Sequence, residues 1–370
     1  MNVNLENSWA RSSATRLLGI DLPIVLAPFG GLSNTRLTAA VSEAGGLGSY
    51  GLFGYGPDRI SQVARELALA TSKPFALNLW LPLGAGEDPG TNGDGFDECL
   101  DTLRPYFDEL GIALPQRPAV WFPSFDDQIT AALDARPAVL SFVFGVPSAP
   151  VLDAARSRGI LTVGTATTVD EAVALDAAGL DAIVATGMEA GGHRVSFLAS
   201  PEDSLVGTFA LVPQIVDAVS VPVIAAGGIA DGRGLAAAIA LGAGAAVIGS
   251  AFLATEQSAA APVYRAALRG EEAGHTVLTR ALSGRLARGI PNRITRDLDA
   301  SGRIAAFPVQ NWVTGRFRPT AAERGIDDLM SLWAGQGSPL IRHDDALALI
   351  DEVMRVADTI LRPGTRARGA

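Results

Sequence analysis

The 370-residue chain has one cysteine, Cys99, so an internal disulfide is excluded and a reducing compartment is expected. With three histidines and that single thiol, soft ligands are too few for a dense transition-metal site, and no metal is expected. No apolar run reaches the roughly 18 residues that a transmembrane helix needs. Met1 to Ala10 carries neither a basic n-region nor an apolar core, so no secretory signal is read there. Aromatic residues make up only 6%, and the formal net charge is −10. Such a balance argues against nucleic acid or an anionic membrane as a partner. Together these absences predict a cytoplasmic protein acting on a small molecule. Any anion site must be local, made by loops and a few arginines.

What is present is apolar residue in quantity, 48% of the chain, ample for one large core or a core with an added lobe. The most informative stretch is Val221-Pro-Val-Ile-Ala-Ala-Gly-Gly-Ile229, followed by Ala246-Val-Ile-Gly-Ser-Ala-Phe252. Each half begins as a short apolar run, the mark of a buried parallel strand. Each then meets glycine, which lets backbone N–H groups approach an anion. Asp231 to Leu241 reads as the intervening helix, whose N-terminus would add partial positive charge. In a (β/α)8 barrel the loops after strands 7 and 8 are the usual phosphate site.

The rest of the chain alternates in the same way. Strands are predicted at Pro23–Ala27, Leu47–Tyr50, Phe75–Leu81, Val139–Phe144, Ile160–Gly164 and Ala182–Ala185. Helices are predicted at Asn34–Ala44, Pro57–Ala70, up to Leu110, and at Val169–Ala178; Leu83–Gly95 is a Gly-, Asp- and Pro-rich loop. Ala119–Phe122 could be a stray strand. Eight such units predict an α/β fold of the (β/α)8 TIM-barrel type. After Glu256 the alternation stops. Helices are expected at Ala259–Gly270 and Glu272–Arg280, a basic stretch at Gly284–Thr295, and irregular chain at Pro308–Pro319. The expected division is a barrel over 1–255, a mostly helical lobe over the site at 256–325, and 326–370 returning to the barrel through an amphipathic helix, Asp344–Leu361. The tail from Arg362 is expected to fray.

The second chemical motif is Ala185-Thr-Gly-Met-Glu-Ala-Gly-Gly-His-Arg194, after the sixth strand. Residues at that end of a barrel strand face the active site. His193 there can exchange a proton near neutral pH; it equally fits a hydrogen-bonded structural histidine. His275 and His343 read as solvent-facing.

These segments resemble the nitronate monooxygenase family, formerly 2-nitropropane dioxygenases. The resemblance rests on Pro23-Ile-Val-Leu-Ala-Pro-Phe-Gly-Gly31, Ala39-Ala-Val-Ser-Glu-Ala-Gly-Gly-Leu-Gly48, Phe75-Ala-Leu-Asn78, Glu189-Ala-Gly-Gly-His-Arg194, both phosphate loops and Trp333-Ala-Gly-Gln-Gly337. It implies an FMN enzyme that oxidises alkyl nitronates with O2. It also implies a site: Ala27, Pro28 and Phe29 along the flavin ring, and Asn78 and Thr186 within reach of it. Gly191 would approach by backbone; Gly227, Gly228, Val247, Ile248, Gly249 and Ser250 would hold the phosphate side; His193 would be the catalytic acid/base. Thr186, Val143 and Val247 stand where relatives often carry longer polar side chains, which implies an altered pocket. Two alternatives stay open: an NAD(P)H-dependent FMN reductase of quinones or enoyl thioesters, and a flavin-binding barrel without this activity. A homodimer is possible.

Arg285, Arg288 and Arg293 fit either a segment over the site or a solvated basic loop. Asn34 is expected to cap a helix and Cys99 to be structural. Trp80, Trp312 and Trp333 could form an apolar lid, with at least one in the core.

Overall fold

The computed structural model describes residues 9–82 and 95–362; the loop predicted from Leu83 and the tail beyond Arg362 fall outside them. Eight parallel strands form the barrel. They are β1 (Ile24–Leu26), β2 (Gly48–Gly51), β3 (Phe75–Trp80), β4 (Val139–Val143), β5 (Leu161–Ala166) and β6 (Ala182–Thr186). After the two-residue β7 (Gly192–His193) come β8 (Val223–Ala226) and β9 (Ala245–Ile248). The ladder runs β1-β9-β8-β6-β5-β4-β3-β2, and a parallel bridge between Val25 and Leu47 closes the ring. This is the predicted (β/α)8 barrel. Ala119–Phe122 forms no strand.

Alternation along each strand explains the layers. Leu77, Leu79, Leu140, Phe142, Ile183 and Ala225 turn outward and pack under the helices. Val25, Leu47, Ala76, Val139, Val163, Ala182 and Ile224 turn inward and fill the lower barrel. Ala14 and Leu18 of the short helix Ser13–Leu18 join that inner cluster and plug the bottom. One turn higher the inward positions become polar: Ser49, Asn78, Ser141, Thr165 and Thr186. An apolar floor under polar walls prepares the C-terminal end of the barrel for a ligand. Asn34 caps its helix as expected, its side chain accepting the N–H of Leu37 at 2.8 Å.

The lobe departs from expectation. Glu272–Arg280 is not a helix: a 3-10 turn at Glu271–His275 leads into strand β10 (Val277–Thr279). β10 pairs with β11 (Ala287–Gly289), and β11 pairs with β7, all antiparallel. Thr276, Val277 and Thr279 are β-branched and favour this extended pairing. Pro308–Pro319 is not irregular: Val309–Glu323 is a helix that starts just after Pro308 and contains Pro319. Its buried face, Val309, Val313, Phe317 and Ala321, keeps the spacing of a helix stripe. Phe317 and Leu298 of the lobe join one core with Phe107 of the barrel's helices and Met354 of the C-terminal helix Ala346–Leu361. Cys99 lies in that core, its thiol 3.3 Å from Oε1 of Gln310; burial pushes it up to about 12, which keeps it unreactive.

Candidate active site

The barrel mouth and the lobe enclose a cavity of about 650 Å³, within the range that holds a cofactor-sized ligand. Of the residues expected to hold cofactor or substrate, Ala27, Pro28, Phe29, Asn78, Thr186, Gly191, His193, Gly227, Gly228, Val247, Gly249 and Ser250 all line it. Ile248 does not: strand alternation turns it away from its neighbour Val247 and buries it beneath the helices. Val143 and Val247 both face the cavity, as does Thr186. The Asn78 amide donates to Ser141 Oγ at 3.0 Å, which fixes its rotamer from the next strand.

Two glycine loops shape one side of the cavity. Gly227 and Gly228 have φ of +110° and +71°, conformations open to glycine at little cost. Among the described residues no acceptor takes the N–H of Gly228, Gly249 or Ser250, and all three residues line the cavity. Unmet donors at a cavity wall suit an anion. The following helix does not contribute as expected. Its cap, Asp231, already accepts the N–H of Arg233 at 2.9 Å and of Gly234 at 3.3 Å, and pairs with the Arg233 side chain. Ser250 Oγ accepts the N–H of Gly335 at 2.9 Å, so its own proton is available elsewhere.

The loop after β6 is held from three sides. Both Glu189 oxygens accept the N–H of Thr208 at 2.9 Å, and Oε2 accepts the Thr208 hydroxyl at 2.8 Å. The Gln336 N–H donates to the Glu189 carbonyl at 2.9 Å. Arg194, buried, donates to the carbonyls of Gly187 at 2.8 Å and Ser204 at 2.9 Å. Arg288, also buried, donates to the Met188 carbonyl at 2.8 Å. A Cβ on Gly191 would stand 2.6 Å from the Ala334 carbonyl carbon and the Gly335 nitrogen. Gly191→Ala is therefore expected to lower unfolding free energy by about 1–3 kcal/mol in urea titrations; an unchanged midpoint would mean that the late segment yields freely.

His193 is half-buried, with a face on the cavity. Its ring sits edge-on to Trp80 at 5.1 Å and beside Trp333 at 5.5 Å. Its Nε2 lies 2.9 Å from Ser283 Oγ, whose proton goes to the Arg285 carbonyl at 3.0 Å. Nε2–H is then the donor, and Nδ1 keeps the free lone pair. Burial first, and the Arg318 charge second, hold His193 down at about 4. The imidazole is thus neutral throughout the physiological range. In an NMR titration of labelled histidine, its ring signals are expected to shift near pH 4, while a midpoint between 6 and 7 would contradict this environment. The sign follows: the unfolded chain binds this proton first as pH falls below about 6.5, so acid costs stability.

The arginines divide. Arg285 is buried over the rings of Phe307 at 3.8 Å and Phe144 at 4.3 Å, and burial lowers it to about 9. Arg288 braces the Glu189 loop. Arg293 leaves the site, pairing with Glu109 at 2.6 Å near the surface. Trp80 and Trp333 flank His193, whereas Trp312 packs against Phe96 and, edge-on, against Trp121. The contacts of Arg318, Ser283 and Glu189 were not read from the sequence. Glu189 opens the quoted Glu189–Arg194 motif and Ser283 directly precedes the basic stretch from Gly284, but Arg318 had no such signal.

A closed (β/α)8 barrel with a deep cavity at the C-terminal ends of its strands, floored by apolar residues and edged by glycine loops, defines a barrel enzyme. Comparisons narrow the class. The family model described as nitronate monooxygenase matches residues 11–355. A nitronate monooxygenase of Pseudomonas aeruginosa is 42% identical over 341 residues, 91% of this chain and 96% of that protein. Among solved structures, a nitroalkane oxidase from Streptomyces ansochromogenes aligns with a TM-score of 0.84 and 36% identity, covering 94% of this chain and all of the other. FabK from Thermotoga maritima aligns at 0.74 with 29% identity, covering 95% and 97%. The chain belongs to the nitronate monooxygenase family, a family of flavin-dependent oxidoreductases.

Proposed function

We propose that this enzyme oxidises alkyl nitronates with O2 to a carbonyl compound and nitrite, with FMN as its flavin. One observation carries the proposal: His193 and the unmet N–H groups of Gly228, Gly249 and Ser250 line a single cavity. Those donors fit one terminal phosphate, and the sequence has no G-x-G-x-x-G strand-turn-helix unit for the second nucleotide half of FAD. Ala27, Pro28 and Phe29 would bound the isoalloxazine ring, Asn78 and Thr186 would meet its polar edge, and Gly191 would approach it by backbone. FMN, when bound, supplies the electron acceptor and passes electrons on to O2.

The chain's own part is placement and protonation. His193, neutral and with Nδ1 free, accepts a proton from a neutral nitroalkane. At about 4 it is a weak base, so a preformed nitronate, whose proton is already gone, is the better substrate. Trp80, Phe53 and Trp333 line the mouth and exclude water from the reacting carbon.

Anaerobic spectra test the proposal. A nitronate is expected to bleach the bound flavin, and the released cofactor should run as FMN. Rapid bleaching by NADH or NADPH with none by nitronate would favour a reductase instead.

A further inference from the structure

Arg318 projects from the helix Val309–Glu323 to the wall of the same cavity. Nη1 donates to Ser331 Oγ at 2.5 Å, and Nη2 to the carbonyl and side-chain oxygens of Asn311 at 3.2 Å. All three partners are neutral. Nε is buried and meets no acceptor, and no carboxylate lies within ion-pair reach among the described residues. Burial, then the nearby Arg316, lowers the guanidinium to about 10, so it stays charged at neutral pH.

The rest of the lining sharpens the contrast. Among the described residues that line the cavity there is no Asp, Glu or Lys, and Arg318 is the one arginine. A protein of net charge −10 thus presents an electropositive pocket. A cation withdrawn from water without a counter-charge is costly. If Arg318 only tied its helix to Ser331, a neutral amide could make that bond more cheaply. The glycine loops already supply donors of their own. Ser331, which accepts from Arg318, stands two residues before Trp333, whose ring lies 5.5 Å from that of His193. The Arg318 charge is thereby tied to the histidine side of the cavity.

We propose that Arg318 recognises the two negative oxygens of the nitronate and selects the anionic substrate over the neutral nitroalkane. This rests on the nitronate reading above. A planar guanidinium matches a planar two-oxygen anion, and such charge-assisted bonds are the strong ones. The same charge disfavours imidazolium at His193, so the site favours an anion that arrives already formed.

The test uses flavin-loaded enzyme and nitrate, a planar oxyanion, as the calorimetric probe. Arg318→Gln is expected to raise the nitrate Kd and the nitronate KM on the order of 10- to 100-fold. Its kcat/KM for the nitronate should fall at least tenfold further than its kcat/KM for the neutral nitroalkane, and Arg318→Lys should recover most of that difference. Arg318→Met, which keeps the apolar stem, replaces the glutamine variant if that one does not fold. Equal losses on neutral and anionic substrates, or an unchanged nitrate Kd, would overturn the proposal. So would FMN release with nitrate affinity intact after reconstitution, which would assign Arg318 to the phosphate. Nitrate binding that depends on Arg318 in an enzyme inert to nitronates would sink the functional reading and leave the anion site standing.

Discussion

Gly228→Asp is expected to give a colourless protein that added FMN does not restore. Gly228 lines the cavity with φ of +71° and an unmet N–H. A side chain there would grow from a position whose Cβ already stands 3.4 Å from Glu189 Cβ. The new carboxylate would face both the Glu189 carboxylate and the incoming phosphate. Like charges set against each other cost several kcal/mol, so FMN affinity should fall by about 100-fold or more. Gly228→Ala separates strain from charge. It carries the left-handed penalty of roughly 1–2 kcal/mol but no repulsion, so its loss should be about tenfold. Flavin fluorescence quenching measures both. If the aspartate variant bound FMN as well as the alanine one, the phosphate would lie elsewhere.

His193→Ala comes next in size. Loss of a general base commonly lowers turnover by about 10²–10⁴-fold, and that loss should fall on neutral nitroalkanes. Preformed nitronates should lose much less, because no proton must move. Fold and FMN should survive: the ring's protein partner is Ser283, and the donors expected to hold the cofactor lie in other loops. The ratio of kcat/KM on the two substrate forms is the measurement that matters. Equal losses would make His193 an orienting residue, held by Ser283 between Trp80 and Trp333.

The barrel was legible because most strands are short, largely apolar runs followed by loop residues, and repetition made the period plain even where β2 (Gly48–Gly51) and β5 (Leu161–Ala166) are mixed. That the two glycine loops and His193 meet at the mouth was legible for the same reason, since strand ends point there and these residues line the cavity. Ile248 was misassigned although period two alone sends it opposite to Val247. The lobe was harder. β10 and β11 have three residues each, too few for a period to show, and the pairing of β11 with β7 joins residues far apart in sequence. Pro308 and Pro319 suggested irregular chain, yet one precedes the first turn and the other is accommodated within the helix. That misreading also hid Arg318. Its place in the cavity depends on a helix crossing the mouth, which no local pattern announces.

The three-stranded sheet that joins β7 to β11 and β10 has an evolutionary corollary. His193 belongs to the barrel's sixth loop, but the serine that sets its proton belongs to the lobe, and one ladder ties the two. Exchanging the lobe with that of a relative would therefore change the partner of His193 as well as reshape the entrance. Transplants that carry residues 187–194 together with 277–289 should keep a competent histidine, whereas a transplanted lobe alone would inherit a partner it was not matched to.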